Sequence, residues 1–383
     1  MNLLIIPSWY PSKRSPINGI FFREQAVALS RGGHNVTLID VSLHGRKDWF
    51  NSKNFRLTYQ NDEGVHVYSL KIPSFALTRF LPAHLFIFKF LLFFVFLKLI
   101  KKGQKFDVIH AHSFCPAGYC ASKLSEKYNI PLVVTEHFSG LIHAIPKKKE
   151  SQLLTYTVSH CYKFICVSET LLKNVEKFTN ISDNLLVVPN IVSSLFSYSD
   201  IKRTDNDFVF FSIGFLIDRK RFALTISCFN QAFKDCPNVK LRIAGSGELY
   251  GTLQKQIDEN NLTEKVQLLG QLKREQIKAE LDNCDAFVLA SAAETFGVVY
   301  IEAMACGKPV IATRNGGAND IVNETNGILI DIDNEEQLIK AFQEMYQNAD
   351  KFNNRQISDN CYAKYSEKNI VEQLTKIYEE IKK

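Results

Sequence analysis

Short β-rich apolar runs alternate along the chain with amphipathic stretches of helical period. In the first half the runs are Leu3–Ile6, Asn35–Asp40, Val65–Leu70, Val108–Ala111, Leu132–Thr135, Phe164–Val167 and Leu185–Val188. A second series starts at Phe208–Ile213 and continues through Lys240–Ala244, Val266–Leu269, Ala286–Leu289, Pro309–Ala312 and Gly327–Ile330. Helical stretches such as Phe21–Arg31 and Phe222–Lys234 separate them. Strands alternating with helices predict α/β layers with parallel sheets. Two such series within 383 residues predict two domains in tandem, each long enough to bury a core. The domains fall at residues 1–195 and 196–365, with the polar, aperiodic segment Ser193–Asn206 as linker. The tail places Ile370, Leu374, Ile377, Tyr378 and Ile381 on one face of a helix. That helix fits either domain, and residues 366–383 are assigned to the first.

One segment breaks the amphipathic pattern. Leu85–Ile100 is apolar nearly all round, yet it contains Lys89 and Lys98. Its 16 residues fall short of the roughly 20 that a membrane-spanning helix needs. A core helix and a helix dipping into one leaflet, with its lysines snorkelling to headgroups, remain open. Lys101, Lys102 and Lys105 follow directly, and Lys147–Lys149 form a second basic run.

Charge sharpens this picture. The net charge is +6, but residues 1–195 carry 23 Lys+Arg against 12 Asp+Glu, leaving +11 there and −5 in the remainder. A basic half beside an acidic half points to an anionic partner for the first. No RNA- or DNA-binding motif is present, so an anionic membrane surface fits better than nucleic acid. Nine cysteines are scattered without a CxxC or zinc-finger spacing, which predicts buried thiols in a reducing compartment. Met1–Ile6 meets Pro7 and Trp9 with no basic n-region, which reads as a first core strand and not a signal peptide. A cytoplasmic protein is expected.

The most informative stretch runs from Ala290 to Gly317. Glu294 falls in the loop at the carboxyl end of a strand, where open α/β sheets bind ligands. Phe296, Gly297, Val298 and Val299 should open a helix whose free N–H groups can receive a diphosphate. Glu302 lies one turn further, where a carboxylate can accept hydrogen bonds from two ribose hydroxyls. Lys220, just past the strand Phe208–Ile213, can neutralise a departing diphosphate, and a solvated loop lysine is the plain alternative. Gly19 allows close backbone approach or is an ordinary turn glycine. His137 ends another strand, and His110 and His112 end a third. Ala244-Gly-Ser-Gly-Glu248 is a GxG, weak as a dinucleotide fingerprint. No Asp-x-Asp metal motif lies in a suitable loop, so neither metal nor cofactor is expected.

Glu294-x7-Glu302 in this setting resembles the E-x7-E motif of retaining glycosyltransferase family 4. Asn18-Gly19, Thr135-Glu-His137, Val167-Ser-Glu169, Pro189-Asn190, Gly214 to Lys220 and Gly245 extend the resemblance over nearly the whole chain. It implies the GT-B fold, two Rossmann-like domains with a cleft between them. It implies a metal-independent hexosyltransferase acting with retention on a nucleotide-sugar, UDP-hexose or UDP-N-acetylhexosamine first and a GDP-sugar next. Glu294 would orient the donor sugar, Glu302 would hold ribose, and Lys220 with the Phe296–Val299 amides would hold diphosphate. His137 would shape the reacting centre, Gly19 would lie over the diphosphate, and Gly214 and Gly245 would line the nucleotide pocket. Gly270–Arg274 would border the base through backbone atoms. The family's arginine after Gly214 is replaced by Phe215, and Arg219 or Arg221 is the candidate substitute; Asp320 stands near a usual glutamate. The acceptor implied is a glycan, lipid-linked at the inner face of a bacterial membrane, as in capsule, exopolysaccharide or lipopolysaccharide assembly. A non-catalytic scaffold or a nucleotide-sugar epimerase are the alternatives.

Overall fold

The computed structural model describes residues 1–11, 18–44, 56–73, 80–200 and 206–381. Residues 201–205 of the expected linker therefore lie outside the described residues. The chain divides into two compact units, Met1–Ile191 with Glu367–Lys383, and Val192–Ser366.

Unit 1 holds β1 (Asn2–Pro7), α1 (Ile20–Arg31), β2 (Asn35–His44), β3 (Leu57–Asp62), β4 (Val65–Pro73), α2 (Leu81–Lys101), β5 (Val108–His112), α3 (Tyr119–Tyr128), β6 (Leu132–Glu136), α4 (Gly140–His143), α5 (Lys148–Ser159), β7 (Lys163–Cys166), α6 (Glu169–Thr179) and β8 (Leu185–Val187). Its sheet runs β3-β4-β2-β1-β5-β6-β7-β8. Every neighbouring pair is parallel except β3 with β4. An all-parallel sheet was the expectation, and β3 was not anticipated. Its residues Leu-Thr-Tyr-Gln-Asn-Asp are mostly exposed, so no buried run marks an edge strand with one side in water.

Unit 2 holds β9 (Phe208–Ile213), α7 (Phe222–Ala232), β10 (Val239–Ala244), α8 (Tyr250–Glu259), β11 (Val266–Gly270), α9 (Arg274–Asp282), β12 (Ala286–Leu289), α10 (Val298–Ala305), β13 (Val310–Thr313), β14 (Gly327–Ile330), α11 (Glu335–Gln347) and α12 (Asn354–Tyr365). Its parallel sheet runs β11-β10-β9-β12-β13-β14. The stretch Ser193–Asp200 is no free tether, because Phe196 is fully buried and its carbonyl accepts the Tyr362 hydroxyl at 2.5 Å.

The last helix, α13 (Glu367–Glu380), belongs to unit 1. Ile370, Leu374, Ile377 and Tyr378 join one apolar cluster with Leu3, Leu29, Val36 and Val108. Helix α2 is longer than the sequence suggested, 21 residues, because Pro82 sits in its first turn where the missing N–H costs nothing. It buries Phe88, Leu91, Leu92, Val95, Phe96 and Leu99. By length and composition it could cross a membrane, and a third of its most apolar window is buried in the protein.

Candidate functional site

Both sheets reverse strand order once. In unit 2 the chain leaves β9 toward β10 and β11, then crosses to β12 and proceeds through β13 and β14 the other way. The crevice outside the carboxyl ends of β9 and β12 is therefore a topological switch point. Lys220 follows β9 and Glu294 follows β12. Their side chains meet, Lys220 Nζ donating to Glu294 Oε1 at 2.5 Å, both nearly buried.

Backbone bonds lock the loops that carry this pair. Ala292 N–H donates to the Arg219 carbonyl at 2.8 Å, which ties the loop after β9 to the loop after β12. Glu294 N–H donates to the Asn315 carbonyl at 3.0 Å, and Gly317 N–H donates to the Glu294 carbonyl at 2.9 Å. Asn315 Nδ2 donates to the hydroxyl of fully buried Tyr300 at 2.9 Å, and that hydroxyl donates to the Leu289 carbonyl at 3.1 Å. The loop after β10 is laced in too, with Leu216 N–H on the Ser246 carbonyl at 3.0 Å and Gly245 N–H on the Gly270 carbonyl at 2.8 Å. Gly245 has φ +148, and a Cβ there would run into the Gly214 carbonyl oxygen. Its absent side chain thus serves the close approach of two loops at this rim.

Helix α10 starts at Val298, with Gly297 as its N-cap residue and no side-chain cap. The expected start at Phe296, two residues earlier, is corrected to that extent: Phe296 packs its buried ring near Tyr365 at 5.7 Å instead of taking a helical position. Val298 and Val299 N–H, as the first helical amides, lack an i−4 carbonyl and suit an anion. Glu302 on the same helix is buried and pairs with Arg274, whose guanidinium lies 3.3 Å from Oε1 and over the Phe196 ring at 4.9 Å. The sequence reading gave the Gly270–Arg274 segment a backbone role only, so the Arg274 side chain was missed. Its one signal was position, at the carboxyl end of β11, and nothing in Lys-Arg-Glu-Gln singles it out. Arg219 is present through its carbonyl as described. Arg221 is no spare charge, because Asp333 takes its guanidinium at 2.6 and 3.0 Å and Asp218 at 2.7 Å. Phe215 is half-exposed.

In unit 1 the switch point lies between β1 and β5. Gly19 caps α1 at φ +79, and a Cβ there would press on the Trp9 ring at 2.9 Å, a local reason for glycine. His137 follows β6 and is almost wholly buried between Phe21, at 4.8 Å between rings, and Phe22, at 5.0 Å. Glu136, fully buried, fixes the backbone there: it accepts N–H from Phe114 at 2.6 Å and from His137 and Phe138 at 2.7 Å each. His110 accepts or donates at both nitrogens, to Tyr378 Oη at 2.6 Å and Thr135 Oγ1 at 2.7 Å.

Burial pushes the imidazoles of His137 and His110 down to about 3, and holds His112 well below its ordinary range with help from the neighbouring histidines. All three are neutral near pH 7. His112 Nδ1 and His137 Nε2 share one hydrogen bond at 3.3 Å, while His112 Nε2 and His137 Nδ1 are buried without a protein partner. Whichever ring donates, the pair leaves one donor and one acceptor. Among the described residues no three His, Cys, Asp or Glu side chains gather as a metal-ligating group.

Comparison with known proteins extends these observations. Residues 19–194 match the family model described as Glycosyltransferase Family 4, and residues 198–362 match that described as Glycosyl transferases group 1. An uncharacterized glycosyltransferase of Methanocaldococcus jannaschii is 29% identical over 74% of this chain and 78% of its own length. TuaC of Bacillus subtilis, described as a putative teichuronic acid biosynthesis glycosyltransferase, is 26% identical over 86% of this chain and 85% of its own. HepE of Anabaena, solved in complex with UDP, superposes with a TM-score of 0.74 at 19% identity, covering 99% of this chain and all of that one. Two sheets each with a ligand-type switch point, and two adjoining family matches across residues 19–362, make this chain a glycosyltransferase of the family 4 type with the GT-B fold.

Proposed function

We propose that the protein transfers a hexose or N-acetylhexosamine, with retention, from a UDP-sugar to a lipid-linked glycan in bacterial surface-polysaccharide assembly. The observation that carries this is the Lys220–Glu294 pair at the unit 2 switch point, beside the open amides of α10. A cation, a row of N–H donors and a carboxylate at one rim suit a sugar diphosphate. Lys220 and the amides of Val298 and Val299 take the diphosphate, so charge developing on the leaving group meets fixed donors. Glu294 then accepts from sugar hydroxyls, and Glu302, steadied by Arg274, accepts from the ribose. Gly214 and Gly245 keep the rim low enough for the nucleotide to approach. In unit 1, His137 and Gly19 keep the roles that the family resemblance implies. The same-face attack that the family resemblance implies, with the diphosphate taking the acceptor proton, then draws its rate from positioning and charge stabilisation. The relative described as a putative teichuronic acid biosynthesis glycosyltransferase supports a place in surface-polysaccharide synthesis, and the UDP complex of HepE supports the donor class.

The test is a panel of UDP-, GDP- and ADP-sugars in EDTA, read by thermal shift and by release of free nucleotide. One UDP-sugar should stabilise and turn over, and Glu294→Ala and Glu302→Ala should weaken both signals. Silence across the panel from folded protein would overturn the reading in favour of a scaffold.

A further inference from the structure

We propose that the outer face of α2 docks the protein in the interfacial layer of a bilayer rich in anionic phospholipid. The proposal deepens the lipid-linked acceptor reading and rests on it for its purpose, whereas the binding itself needs no turnover.

Among the described residues thirteen large apolar side chains are exposed, and six of them lie on or beside this one helix: Phe80, Phe86, Phe90, Phe94, Leu97 and Ile100. A cluster of that kind differs from the single exposed side chains any surface carries. At about 100° per residue, Phe86, Phe90, Leu97 and Ile100 share one side of the helix. The buried Phe88, Leu91, Leu92, Val95, Phe96 and Leu99 share the other, and α2 lies against β2, β4 and α3. The inner face is thus part of the fold. Crossing a membrane would strip those six side chains from the sheet they cover, so the helix lies along the interface and does not span it.

Charge selects the occupant. Residues 81–106 carry Lys89, Lys98, Lys101, Lys102 and Lys105 and no Asp or Glu. Lys89 and Lys98 border the apolar stripe on opposite edges. Lys98 Nζ sits above the Phe94 ring at 4.4 Å, and Lys127 of α3 above the Phe93 ring at 5.5 Å. Lysine stems over aromatic surface with ammonium groups at the margin match acyl chains below and phosphates beside them. A second copy of this chain fits worse, because the same acid-free face would set lysines against lysines.

The full-length protein is mixed with vesicles of phosphatidylcholine alone or with phosphatidylglycerol added, and sedimented at low and high salt. Binding should require phosphatidylglycerol and weaken with salt. Phe86→Ser with Phe90→Ser should lower vesicle affinity at least ~10-fold, the loss expected when apolar rings leave the acyl layer. Their rings face solvent, so the melting temperature should hold, and Tyr250→Ser in unit 2 serves as the control. Phe90→Trp should blue-shift and be quenched by lipids brominated in the acyl chain, which charge attraction alone does not produce. Three results would overturn the proposal. These are no sedimentation with phosphatidylglycerol vesicles, undiminished binding by the double serine variant, or a dimer in light scattering that the same variant dissolves without any vesicle binding. Donor-induced thermal shifts on the same samples separate the two readings. Vesicle binding without donor response spares the docking and sinks the donor reading; the reverse pattern sinks the docking alone.

Discussion

Replacing Glu294 by Gln tests the electrostatics of unit 2 before any substrate is known. The substitution keeps size and one carbonyl oxygen and removes only the charge facing Lys220. That ammonium lies 2.5 Å from Glu294 Oε1, with side-chain exposures of 11% and 12% for the two partners. Breaking a buried ion pair from one side costs about 3–5 kcal/mol, because the surviving charge stays buried. The retained amide oxygen still accepts a hydrogen bond and offsets about 1 kcal/mol. Slight solvent access lowers the figure further, leaving a loss of about 2 kcal/mol. For a unit of this size that is a melting shift of roughly 4–8 °C. Because two units need not unfold together, hydrogen exchange of peptides from β9 and β12 is the better local readout. Adding Lys220→Met removes both charges, and the double variant should recover most of the loss, a coupling of about 2 kcal/mol in the cycle. Saturating UDP should stabilise Glu294→Gln more than the wild type, since the orphaned ammonium gains a phosphate. A single-variant cost under ~0.5 kcal/mol, or strictly additive effects, would show that Lys220 does not depend on Glu294.

Two further predictions concern unit 1. Tyr378→Phe deletes the hydroxyl at 2.6 Å from His110 Nδ1, and an unsatisfied buried nitrogen should cost about 1–3 kcal/mol in urea unfolding; a neutral result would mean that α13 is not anchored there. Acid should destabilise the same unit: His110 and His137 titrate at about 3 when folded against about 6.5 unfolded, so the unfolded chain binds more protons between those values. Stability is then full above pH ~6.5 and falls as pH drops toward ~3, by up to about 1.4 kcal/mol per pH unit per histidine. His137→Asn should flatten the slope of melting temperature against pH, and an unchanged slope would place the acid sensitivity elsewhere.

Much of the strand pattern was legible because parallel strands buried on both faces read as unbroken apolar runs. The exposed β3 carries no such run, and its pairing with β4 is set by a turn and not by burial. Helix α2 begins four residues before the apolar segment that starts at Leu85, with Pro82 in its first turn. Glu294 and Glu302 stood out through their spacing, but their partners did not. Lys220 is 74 residues from Glu294, and Tyr378 is 268 residues from His110. Such pairings depend on strand order, which local pattern does not encode. Arg274 shows the same limit: it opens α9 and pairs with Glu302 of α10, a contact that its neighbours in sequence do not signal.

The return of α13 to unit 1 has a consequence for how the protein is made. Unit 1 is begun first and finished last, because Ile370, Leu374, Ile377 and Tyr378 complete a cluster whose other members start at Leu3. The intervening unit must be synthesised while that cluster stands open. At roughly 5–20 residues per second, the wait is on the order of 10–40 s. During it the apolar faces of α1 and β1, and the unbonded Nδ1 of His110, are exposed to whatever the nascent chain meets. Unit 2, contiguous from Val192 to Ser366, carries no such delay and can close as soon as its own last helix emerges. The order of completion in the cell is therefore the reverse of the order of translation, and chaperone demand should fall on the amino-terminal half of the chain.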